Sequence, residues 1–118
     1  MGIVVKEING RKYVEVQEGT TVITREEDAV DLAGICGVND TDLLLLSRDT
    51  LPEEFYDLKS GLAGAVLQKF SNYRIKAAAI IQPEKITGRF REMVIETNRG
   101  NHFRVFKNRE DAERWLTG

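Results

Sequence analysis

The sequence predicts an α/β fold: an N-terminal β-hairpin, then alternating helices and strands, forming a mixed, mostly parallel sheet with helices packed on it. Three observations carry this expectation. Asn9-Gly10 separates two β-rich runs, Ile3–Ile8 and Lys12–Val16, and a type I′ turn needs the positive φ that this dipeptide tolerates. Asp42-Leu43-Leu44-Leu45-Leu46 and Ile75–Ile81 are short apolar runs bounded by turn residues, the pattern of strands covered on both faces. Between them, Leu58, Leu62, Val66, Leu67, Phe70 and Tyr73 recur at steps of three and four and draw one stripe down a helix.

Each element has its own local justification. In the hairpin, Val14 and Val16 alternate with Glu15 and Gln17, so the ribbon is expected to keep one wet face. Gly19 breaks the run, and Thr20–Ile23 reads as a short extended piece. Thr24 followed by Glu27 fits a capping box, opening a helix buried along Ala29, Leu32, Ala33 and Cys36 and stopping at Gly37. After the leucine strand, Thr50, Pro52 and Glu53 start a short helical turn whose Phe55 and Leu58 face inward. The long helix restarts near Ser60, a preferred N-cap. The small residues Gly61, Ala63, Gly64 and Ala65 suit close packing on the sheet, and Gly61 lets the backbone approach a neighbour. Gln82-Pro83 turns the chain; Ile86, Phe90, Met93, Val94 and Thr97 outline a further helix closed by Asn98-Arg99-Gly100. His102–Phe106 reads as a strand, and Asn108 with Asp111 caps a last helix packed down by Ala112, Trp115 and Leu116.

Composition bounds the function. A chain of 118 residues, 42% hydrophobic and 31% charged, reads as one domain spanning 1–118 with a single core. The lone Cys36 excludes an internal disulfide and reads as a core residue. No apolar run reaches the roughly 20 residues of a membrane span, and the first seven residues lack a leader pattern. A cytoplasmic protein with no membrane association is therefore expected. Residues 1–60 carry 6 Lys/Arg against 13 Asp/Glu, and residues 61–118 carry 11 against 6. The halves are expected to interleave so that these charges mix; with no block of basic residues, nucleic acid is disfavoured as a partner.

Two resemblances bear on function. The stretch Phe55–Arg74, together with Glu96-Thr97-Asn98-Arg99-Gly100-Asn101, resembles the bacterial and archaeal family named domain of unknown function 4180, a likeness that implies no particular activity. Asp57-x-x-Ser60-Gly61-Leu62 looks like the Asp-Ser-Ser-Gly-Leu of anti-sigma-factor antagonists, the STAS-type regulatory domains. That likeness implies that Ser60 is a phospho-acceptor, that Gly61 and Leu62 start the helix that docks a partner, and that the architecture is STAS-like.

The physics of the position stands beside the resemblance. A helix N-terminus presents unpaired N–H groups and a partial positive charge, so a phosphate on Ser60 or a bound anion is stabilised there, with Lys59 helping. Asn98-Arg99-Gly100-Asn101 could form an anion-binding turn, although a helix C-cap accounts for the Asn and Gly. His102, the only histidine, has no nucleophile assignable to it and reads as a half-buried strand residue. Glu54 and Asp57 read as solvated helix carboxylates. No Walker loop, Rossmann fingerprint or metal-ligand cluster is present, so no cofactor is expected. The expectation is a non-catalytic regulatory or protein-interaction module with a protein partner or a second copy of itself, using Asp57, Lys59, Ser60, Gly61, Leu62 and Gly64. The alternative is a small-anion-binding or enzymatic domain using the Ser60–Gly64 helix start with Arg99 or His102.

Overall fold

The computed structural model describes residues 2–118; Met1, the first residue of the stretch read for a leader, lies outside the described residues. Strands β1 (Ile3–Ile8) and β2 (Arg11–Val16) pair antiparallel from Ile3↔Val16 to Ile8↔Arg11. Their turn has φ of 53° at Asn9 and 78° at Gly10, as a type I′ hairpin requires. The remaining strands, β3 (Leu43–Leu46), β4 (Lys76–Ile80) and β5 (Phe103–Phe106), add in parallel to β2 in chain order, giving a five-stranded sheet β1-β2-β3-β4-β5.

Strand order explains where the helices lie. Parallel neighbours added in sequence need crossovers of one hand, and crossovers of one hand put their helices on one face. The linking helices are α1 (Glu26–Val38), α2 (Glu53–Tyr56), α3 (Leu62–Asn72) and α4 (Gly88–Thr97). All four pack on Val14, Val16, Leu44, Leu46, Ala77, Ala79, Phe103 and Val105 in one large core. Helix α5 (Arg109–Thr117), which follows the last strand among the described residues, covers the other face, where Leu43, Leu45, Ala78 and Ile80 meet Ala112 and Leu116. The four leucines thus serve both faces, and burying each contributes roughly 1.5–3 kcal/mol.

Several element boundaries differ from the sequence expectation for identifiable reasons. Thr20–Ile23 joins no strand, although Ile23 is buried in the core. At the start of α1 the capping carboxylate is Asp28, not Glu27: its Oδ2 accepts from the Thr24 N–H, the Arg25 N–H and the Thr24 hydroxyl. Those bonds, the Thr24 N–H foremost, hold Asp28 below the usual carboxylate range. The helix passes through Gly37 and ends at Asn39, with Asp40 in the left-handed region at φ 57°. Thr41 N–H donates to the Cys36 carbonyl and Asp40 N–H to Gly37, a Schellman close that an aspartate can supply. Cys36 is buried, and burial pushes its thiol up to about 12, an inert core residue as read.

Asn98 does more than end α4. Its side-chain amide accepts from the Val105 N–H at 2.8 Å and donates to the Val105 carbonyl at 3.2 Å. It pairs with β5 as a further strand would, and so covers that sheet edge.

Candidate functional site

The chain between α2 and α3 breaks twice, once on each side of the turn that carries Ser60. Asp57 Oδ1 accepts from the Lys59 N–H and caps a single 3₁₀ turn, Leu58–Ser60. Gly61 then takes φ 78°, which resets the helix axis, and α3 begins at Leu62. A Cβ at Gly61 would meet nothing within 4 Å, so backbone conformation rather than close approach requires this glycine. Gly64 is exposed and equally free of neighbours; of the four small residues, only Ala63 is fully buried. The expected close packing of that whole run is therefore corrected to one position.

Ser60 is exposed. Its hydroxyl donates to the Glu54 carbonyl at 2.6 Å and accepts from the Leu62 N–H at 3.2 Å, so it serves as a cap one residue outside the N-cap position held by Gly61. The residue lies at the rim of an open depression of ≈ 450 Å³ between the tips of α1 and α3. Glu26, Glu27 and Glu54 line that depression against a single cation, Arg25. Leu62 is half-buried and packs on the core, while Asp57 and Lys59 stay in water.

Asn98, Arg99 and His102 are elsewhere. Helix α3 is 11 residues long, about 16 Å at 1.5 Å per residue, and His102 lies by its far end. There His102 borders a small apolar cavity of ≈ 210 Å³ with Leu67, Phe70 and Phe103. The histidine is exposed rather than half-buried and precedes β5, with its carbonyl accepting the Ala77 N–H. Arg99 is exposed and pairs with Glu96 at 3.4 Å. Ser60 and the Arg99/His102 pair are not brought together, so the composite anion site conceived from the sequence is not assembled.

A polar network that the sequence reading missed lies on the α5 face. Glu15 is not on a wet face: it is only 2% exposed, covered by the first turn of α5. Both its oxygens accept from the Arg109 guanidinium at 2.7 Å, and Lys6 stands 3.4 Å away. Arg109 also reaches Glu113 and the Ser47 hydroxyl, and the Tyr13 hydroxyl donates to Glu113 at 2.6 Å. Burial pushes the Glu15 carboxyl up, but the hydrogen bonds and charge of Arg109, with Lys6 behind, carry it below its usual value. Tyr13 is driven upward by burial and by Glu113. The one sequence signal for this network was a carboxylate in a strand otherwise headed for a core; its partner is 94 residues away.

Comparison with known proteins places the chain. The family described as "Domain of unknown function (DUF4180)" matches residues 8–116, and the chain belongs to that family. A comparison with curated proteins finds no match. Among the described residues no helix is long and apolar enough to cross a membrane.

Proposed function

We propose that this family member works as a regulatory protein-interaction module that docks a partner on the surface between the tips of α1 and α3, with Ser60 as the switch. The observation that carries the reading is the hydroxyl of exposed Ser60 at the rim of an open depression, tied among the described residues only to the Glu54 carbonyl and the Leu62 N–H. The resemblance of Asp57-x-x-Ser60-Gly61-Leu62 to the STAS phospho-acceptor motif supports it, as does the order of a hairpin followed by alternating helices and strands.

The chemistry of the switch follows from the surroundings. A phosphate on Ser60 removes the hydroxyl proton given to Glu54 and adds nearly two negative charges. The amide tip of α3 favours that charge, but Glu26, Glu27 and Glu54 oppose it. The modified serine is thereby pushed away from its own acidic wall and toward a partner's cation. A freely diffusing anion meets the same wall without a covalent tether, so the depression suits a tethered phosphate and not a dissolved one.

The test is capture from lysate of the native cell on immobilised wild-type, Ser60→Ala and Ser60→Glu chains, with mass spectrometry of the endogenous protein. Phosphate on Ser60 and a partner lost or gained with Ser60→Glu are expected. An unmodified Ser60 together with identical capture by all three chains would discard the switch.

A further inference from the structure

We propose that a second site, on the opposite face of the sheet from Ser60, binds a phosphoryl dianion of the phosphate-monoester class. Four parallel strands end at one cleft of ≈ 310 Å³. The segment after β2 brings Glu18, β3 leads into Ser47 and Arg48, β4 ends at Ile80, and β5 leads into Lys107, Asn108 and Arg109. Loops from the carboxyl ends of four parallel strands converge there, in a sheet whose strands stand in chain order without the reversal at which open α/β sheets commonly hold ligands, so the lining residues themselves must carry the assignment. Three cations line this cleft with one carboxylate, and since Arg109 is already paired with Glu15 and Glu113, Lys107 and Arg48 are the two that can turn to an incoming anion.

The cations differ in what they offer. Arg109 is anchored from beneath by buried Glu15, which fixes its plane while leaving the side chain 39% exposed. Arg48 is held by Glu18 at 2.8 Å, but both partners are more than half exposed, and such a pair is worth at most about 1 kcal/mol. Lys107 is exposed and makes no ion pair among the described residues. A dianion bridging Lys107 and Arg48 gains two charge-assisted contacts and displaces only that weak pair. Glu18 is then a built-in competitor, a surrogate acid occupying Arg48 until a better anion arrives. Ser47 and Asn108 also line the cleft, but their side chains are already held, Ser47 by Glu15 and Arg109 and Asn108 by Asp111. The charged pair therefore carries the recognition, and Ile80 gives an apolar floor beside which the organic part of a monoester can lie.

Isothermal titration of the full chain with inorganic phosphate, phenyl phosphate and sulfate tests the site. Saturable binding of both phosphates with Kd near or below about 1 mM is expected, weakened about tenfold by Lys107→Ala or Arg48→Ala. Glu18→Gln is expected to tighten it severalfold, and Ser60→Ala to leave it unchanged, which separates this site from the Ser60 surface. Absence of saturable binding, or binding unaffected by Lys107→Ala and Arg48→Ala, overturns the proposal. Sulfate binding as tightly as phosphate marks a generic anion patch and overturns the phosphoryl assignment.

Discussion

Two mouths open at the same end of the sheet, one on each face, and their charged linings differ. On the face covered by α1–α4, Glu26, Glu27 and Glu54 line the depression beside Ser60 with Arg25 as the lining cation. On the α5 face, Arg48, Lys107 and Arg109 surround a cleft against Glu18. The halves of the chain do mix their charges along the flanks, through Glu26–Lys69 at 4.0 Å, Glu53–Lys85 at 3.0 Å and Glu15–Arg109 at 2.7 Å. Acidic residues gather at the start of α1, where the helix dipole favours them, while α5 begins with an arginine because a buried carboxylate beneath it needs one. The lesson is that a small net charge of −2 hides two mouths with different charged linings.

The largest break in this comparison comes from the α5 mouth. Arg109→Ala leaves Glu15 buried beside Lys6 alone and is expected to cost about 3–5 kcal/mol in urea unfolding. Removing a charge from the other mouth, Glu26→Gln, is expected to stay within about 0.5 kcal/mol because that side chain is solvated. Equal losses would refute the distinction.

A pH series sharpens the same point. Glu15's folded value lies below its ordinary 4.5, so its stabilisation is fully present above that value and drains as pH falls through the lower folded one. Stability measured from pH 7 to pH 3 should fall more steeply in the wild type than in Glu15→Gln. A steeper fall in the variant contradicts the pairing.

The glycines at the α3 mouth give smaller, opposite effects. Gly61→Ala, at φ 78°, should cost about 1–2 kcal/mol although nothing blocks the methyl. Gly64→Ala, in an exposed helix interior with nothing within 4 Å, should raise stability by about 0.5–1 kcal/mol. If it does so while weakening partner capture, docking explains why a glycine stands there. Ser60→Ala should cost least, about 0.5–1 kcal/mol in thermal unfolding, since water replaces an exposed cap.

Much of the fold was legible because its signals are short-range. Asn9-Gly10 states its own turn, four leucines between turn residues state a covered strand, and the Asn108 side chain caps α5 on the Asp111 N–H as their spacing foretold. The Ser60 surface was half legible: the serine and glycine marked a helix start, but the double break at Asp57 and Gly61 and the acidic wall from α1 were not. Asn98 showed only its propensity to end a helix. Its pairing with Val105 depends on how α4 returns beside β5.

Local chain chemistry established the strands, the helices and a mostly parallel sheet with the hairpin at one edge, because propensity, turn geometry and crossover hand act over a few residues or a single connection; the strand order and the shared face of α1–α4 came from the packed structure. What it left open was the course of α5, which no crossover among the described residues constrains. Only when α5 folds across the far face does Glu15 become buried, Arg109 become its counterion, and Arg48 and Lys107 share one cleft. Charges so distant in sequence acquire meaning through desolvation, and desolvation is a property of the packed molecule.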